Sequence, residues 1–73
     1  MKKVLKLTIP AKLVNEPIIY RMVTQYDLIP TILQANLGKD STGEVILQIE
    51  GTPVNIERGF LFLQELDILV TED

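Results

Sequence analysis

The sequence predicts an α+β sandwich in the order strand, helix, strand, strand, helix, strand, with one four-stranded antiparallel sheet carrying both helices on a single face. Three observations predict it. Apolar residues alternate with a period of two in VLKLTI at 4–9 and EVILQIE at 44–50. Two other stretches, NEPIIYRMVTQYD and TPVN with the residues after it, open with a capping residue and a proline and continue with helical spacing. Between the two central strands lies GKDSTG, whose Gly, Asp and Ser residues suit a chain reversal.

In the first strand Leu5, Leu7 and Ile9 share one face, and Val4, Lys6 and Thr8 share the other. Pro10 ends it, because proline has no amide to continue a ladder. Asn15 is the expected N-cap of the first helix, Glu16 suits the positive end of the helix dipole, and Pro17 fits the first turn. Ile19, Met22, Val23 and Tyr26 then fall at i, i+3, i+4 and i+7, the stripe of an amphipathic helix. Asp27 marks its exit.

The stretch DLIPTILQANL reads as a strand from Ile32 onward, with Leu33, Ala35 and Leu37 on one face and Ile32, Gln34 and Asn36 on the other. Pro30 biases Ile29 toward extended backbone and belongs at a strand start or an edge. The turn at 38–43 joins this strand to 44–50, where Val45, Leu47 and Ile49 point inward, so the pair forms a hairpin. Thr52 caps the second helix with Pro53 at its first position. Ile56, Gly59, Phe60 and Leu63 make its core stripe, and Gly59 implies close approach of helix and sheet. DILVT at 67–71 is the last strand. Alternating helices and strands around a central hairpin define the split-βαβ, or ferredoxin-like, arrangement, and right-handed crossovers leave one sheet face bare.

Composition narrows the function. The chain has 73 residues, room for one domain over 1–73 with one core, and its 47% hydrophobic and 23% charged residues are those of a globular protein. Its apolar runs fall far short of the roughly 20 residues of a membrane span, and MKKVLKLTIPAK lacks the apolar block of a signal peptide. Cysteine and histidine are both absent. That removes disulfides, the usual zinc and iron–sulfur ligands, and Ser/His or Cys/His nucleophile pairs, and it fits a cytoplasmic setting. Ten acids against seven bases give a net charge of −3. The bases Lys2, Lys3, Lys6, Lys12 and Arg21 near the N-terminus are too few, and too poor in aromatic neighbours, for a nucleic-acid surface.

No carboxylate pair is spaced for acid–base work, Ser41 has no base to activate it, and the four glycines form no phosphate loop. The reading is therefore of a non-enzyme, without catalytic residues, metal ligands or cofactor. The bare face carries Val4, Lys6, Thr8, Ile32, Gln34, Asn36, Ile46, Gln48 and Leu69. Its apolar members point to an interaction surface, with Ile32, Ile46, Gln48 and Leu69 as the contact for a second copy. Leu61 and Phe62, off the stripe of the second helix, are a further candidate contact, equally suited to packing on the helix flank.

The run VNEPIIYRMVTQYDLIPTILQANL, followed by TGEVILQIEGTPVNIERGFLFL, resembles a NIL domain over about residues 4–71. Its most family-like pieces are Glu16–Pro17, Ile32–Ala35 and the alternation from Gly43 to Gly51. The resemblance implies a ferredoxin-like fold close to the amino-acid-sensing ACT domains, pairing of two copies, and a regulatory role. In methionine-importing ABC transporters such a module follows the ATPase unit and binds L-methionine near the dimer contact, and occupancy inhibits transport. The tripeptide Asn-Ile-Leu that names the family falls here on Thr31, Ile32 and Leu33, with Thr in place of Asn. The ligand residues implied are Thr31, Ile32, Leu33, Gln34 and Asn36, and the ligand a sulfur amino acid such as methionine. The module also precedes ferredoxin-like Fe–S domains, so the alternative is an assembly domain docking an Fe–S partner in sulfur metabolism. With Met1 just ahead of the first strand, the expectation is a free-standing protein or the front of a longer one. A transporter ATPase or a ferredoxin-type domain, in the same or a neighbouring chain, is the implied partner.

Overall fold

A computed structural model describes residues 1–38 and 40–72 of the chain. Strand β1 (Lys2–Ile9) leads through a short 3-10 turn (Ala11–Leu13) to helix α1 (Ile18–Tyr26), followed by β2 (Ile29–Leu37), β3 (Gly43–Glu50), helix α2 (Pro53–Glu65) and β4 (Leu69–Glu72). The four strands form one sheet in the order β2-β3-β1-β4, every neighbour antiparallel. This is the ferredoxin-like α+β arrangement that the order of elements predicts. β1 and β3 form its centre and β2 and β4 its two edges.

One apolar core lies between sheet and helices. Leu5, Leu7 and Ile9 of β1 and Leu47 and Ile49 of β3 meet Ile18 and Met22 of α1 and Ile56, Phe62 and Leu63 of α2. In an antiparallel pair, residues directly opposite one another share a face. Leu5 stands opposite Leu47 and Leu7 opposite Val45, so these positions define the helix side. Val4, Lys6, Thr8, Ile46 and Gln48 define the bare side.

Each helix ends in a left-handed aspartate, Asp27 at φ 53° and Asp67 at φ 61°. The next residue turns straight into the core: Leu28 and Ile68 are both buried. Leu28 donates its amide to the Met22 carbonyl at 3.2 Å, and Ile68 to the Leu63 carbonyl at 3.1 Å. The two βα halves thus close by the same device, which satisfies carbonyls that a helix end otherwise leaves unpaired.

Several expectations need correction. α1 starts at Ile18, with Pro17 at the cap position and no side-chain cap, rather than at Asn15. The residues after β1 are already committed to turns, with Leu13 N–H on the Pro10 carbonyl at 2.8 Å and Glu16 N–H on the Leu13 carbonyl at 3.0 Å. The shift also moves the stripe: Ile18 is buried, whereas Val23 is 46% exposed. Thr52 does cap α2, its hydroxyl accepting from Asn55 N–H at 3.1 Å. Gly59 is tight for a different reason from the one expected. A Cβ there would lie 2.6 Å from the Leu28 side chain, and one at Gly51 would lie 2.8 Å from it. Both glycines make room for Leu28, not for sheet backbone. β4 begins at Leu69, because Asp67 is spent on the helix exit and Ile68 on the core.

Candidate functional site

β2 is where the sequence and its surroundings are most at odds. It is nine residues long, and every residue but Pro30 is exposed. Leu28 pins its start from beneath Gly51 and Gly59. Its far end leaves through the expected turn, of which Lys39 lies outside the described residues. There Gly38 N–H donates to the Thr42 carbonyl at 2.8 Å, and Ser41 takes a left-handed φ of 67°. Asp40 accepts the Thr42 N–H at 3.0 Å, and that hydrogen bond holds its carboxyl below the ordinary value.

The register breaks once, between Ile32 and Gln34, where the chain carries one residue more than β3 opposite it. Ile32 consequently stands opposite core-facing Leu47, on the helix side, and not on the bare face where unbroken alternation put it. Beyond the bulge Gln34 faces Ile46 and Asn36 faces Glu44 on the bare side, while Ala35 and Leu37 return to the helix side. Thr31, opposite Gln48, is also on the bare side. The five residues expected to hold a ligand, Thr31, Ile32, Leu33, Gln34 and Asn36, therefore lie along one strand but on both sides of the sheet. Of the residues expected to form a contact face, Ile46, Gln48 and Leu69 do share the bare side, and Ile32 does not.

On the helix side, α1 does not reach over the end of β2. An open bay of about 340 Å³ remains there, lined by Ile9, Val14, Ala35, Asn36, Leu37, Gly43 and Val45. Asn36 is the only expected ligand residue that borders it. Ile9, Val14 and Val45 come from three separated segments, so no local pattern in the sequence marks the bay. All seven residues are uncharged, and all but Asn36 are apolar or glycine.

A second groove of about 450 Å³ runs between α2 and the β1–β4 side of the sheet, with Met1, Ile56, Phe60 and Leu61 among its lining and the Lys3–Glu72 ion pair, 2.7 Å apart, on its rim. Leu61 is exposed at this groove. Phe62 is consumed by packing: its ring lies 4.9 Å from that of Tyr26, and the Arg21 guanidinium sits 4.8 Å over it. Among the described residues no polar or charged side chain is buried, and no cluster of three acidic, His or Cys residues could hold a metal ion. No helix is long and apolar enough to cross a membrane.

The described residues thus form a small α+β sandwich with an open sheet edge beside an uncharged bay and, among those residues, no buried charged side chain. The sequence model of one family, described as NIL domain, matches residues 3–72, and the chain belongs to that family. Among solved structures, it is similar to the C-terminal domain of an ABC transporter ATP-binding protein from Enterococcus faecalis, with 25% identity and a TM-score of 0.81 over 96% of this chain and 81% of that one. It shares its fold with an uncharacterized conserved bacterial protein from Eubacterium ventriosum, at 19% identity and a TM-score of 0.61, covering 100% of this chain and 99% of that one. No curated protein matches the chain.

Proposed function

We propose that this chain is a single non-catalytic regulatory NIL unit of the kind that serves ABC transporter ATPases, and that it takes up a small amino acid with an apolar, sulfur-containing side chain, methionine being the type. The observation that carries the reading is the bay at the end of β2, in a member of this family. Its floor of Ile9, Val14, Ala35, Leu37 and Val45 has no charge to repel a thioether, and a flexible unbranched side chain such as methionine's adapts to an irregular apolar gap. Membership of the NIL family and likeness to an ABC transporter C-terminal domain support the regulatory role. Control follows if the ligand prefers one arrangement of the module and its ATPase over another, since only differential affinity shifts an equilibrium.

Titration calorimetry with methionine, homocysteine and cysteine tests this. Methionine is expected to release heat and raise the melting temperature, and Ala35→Tyr, which fills the bay from an exposed strand position, is expected to remove both effects while leaving the circular dichroism unchanged. Absence of heat and of any thermal shift with all three amino acids overturns the ligand. Undiminished binding by Ala35→Tyr overturns the bay.

A further inference from the structure

We infer that the seam between α1 and α2 is a docking surface for an acidic segment of a partner protein, received by Arg21 and Arg58. Four side chains follow one another along this seam. The Arg21 guanidinium lies 4.8 Å over the Phe62 ring, that ring lies 4.9 Å from the ring of Tyr26, and the Arg58 guanidinium lies 5.7 Å over Tyr26. The order is cation, ring, ring, cation, and each helix supplies one of each. Phe62 is buried and anchors the stack, whereas Arg21 is half-buried and Arg58 exposed.

These two are the only arginines of the chain, and the protein itself leaves their charges unpaired. The ion pairs among the described residues are Lys2–Glu50 and Lys3–Glu72, both on the sheet, and no side-chain hydrogen bond among those residues involves an arginine. Stacking on a ring occupies the flat face of a guanidinium and leaves its in-plane N–H donors for another acceptor. That planar fork matches a carboxylate. An arginine already held against a ring also has less freedom to lose when a partner arrives.

Charge complementarity sets the kind of partner. Glu57, next to Arg58, and Glu65, one turn beyond Phe62, both stay outside ion-pair distance of the arginines. A segment with a few spaced carboxylates can meet the two guanidiniums and pass by these glutamates. A nucleic acid, charged at every step, would meet the glutamates too, and two arginines are too few to offset that. None of the four stacked side chains lines the bay or the α2 groove, so the seam is a surface to lie across and not an enclosure for a small anion. The inference shares no residue with the ligand reading and does not rest on it.

The test is an NMR titration of the arginine Nε–H resonances at low ionic strength. The probe is an alanine- and glutamine-based peptide with a glutamate at every fourth position. Both resonances are expected to shift and saturate, and to stay still when the glutamates of the peptide are replaced by glutamine. Arg21→Gln and Arg58→Gln are each expected to weaken binding about threefold, and the double variant about tenfold. Lys6→Gln, on the bare face, is expected to bind as the wild type does. If the stack is structural only, the arginine variants melt earlier while the wild-type resonances ignore the peptide, and that result overturns the inference. Undiminished binding by the double variant overturns it as well. So does a stronger response to a thymidine oligonucleotide, which would assign a nucleic acid, or an equal one to acetate at matched carboxylate concentration, which would assign a small anion. If the variants lose their circular dichroism, the wild-type resonances decide.

Discussion

The two edges of this sheet begin alike and end differently. Each comes after a helix that stops in a left-handed aspartate, and each is preceded by an aliphatic residue buried in the core, Leu28 before β2 and Ile68 before β4. β4 then runs for only four residues, and its Glu72 is ion-paired to Lys3 of the neighbouring strand. β2 runs for nine residues with no charge and no helix over its far end. A short edge that ends in a charge is protected against other strands, whereas a long neutral one invites them. The repeated helix exit is a device of folding. The two halves part at the strands themselves.

The largest effects are expected at the two anchors. Leu28→Ala is expected to destabilise the fold by about 3 kcal/mol, in the range of aliphatic truncations that leave a cavity. Ile68→Ala is expected to cost less, because Leu28 also fills the space that Gly51 and Gly59 leave open. Urea unfolding of both variants measures the difference. Equal losses would mean that the glycine bed gives β2 no extra hold. Gly59→Ala comes next, at about 1 kcal/mol destabilising: the new Cβ overpacks against Leu28, and the gain in helix propensity offsets part of that. Combined with Leu28→Ala it is expected to cost less than the two single losses added, since the new methyl occupies part of the cavity. Strict additivity would separate the two residues energetically despite the 2.6 Å approach.

These anchors also mark how far the sequence alone could be read. Period-two alternation found β1 and β3, and the Thr-Pro pair at 52–53 found the start of α2, because in both cases the local signal and the tertiary demand agree. Asn15 misled for the opposite reason: it is a good cap by type, but turns that descend from β1 occupy the residues just before Pro17. Ile32 changed sides because one extra residue in a strand inverts the parity of everything on one side of it, and no glycine at this bulge announces it. Leu28 lies between a helix stripe and a strand pattern and belongs to neither period. The nearest clue was the pair Gly51 and Gly59, whose missing side chains made space for something. The bay was the least readable feature, being assembled from β1, the loop after it, β2 and β3.

At the β4 edge the expected effects are smaller. Glu72→Gln removes the ion pair with Lys3, whose side chains are 55% and 37% exposed. Exposed pairs contribute about 0.5 kcal/mol and are screened by salt. The variant is expected to lower the melting temperature slightly at low ionic strength and not at all near 1 M salt. A loss that persists in high salt would assign Glu72 a packing role along the α2 groove instead.

The smallest effect belongs to the turn that carries β2 into β3. Asp40 is held below its ordinary 3.8, first by the Thr42 backbone N–H and then by the Thr42 side chain. A folded-state value lower than the unfolded one means that this contribution is complete above the ordinary carboxylate range and disappears as the pH falls through the lowered value. The Thr42 amide resonance, followed by NMR from pH 6 to pH 2, is therefore expected to shift with a midpoint below 3.8 and to lose that step in Asp40→Asn. Persistence of the step in Asp40→Asn would overturn its assignment to this carboxylate.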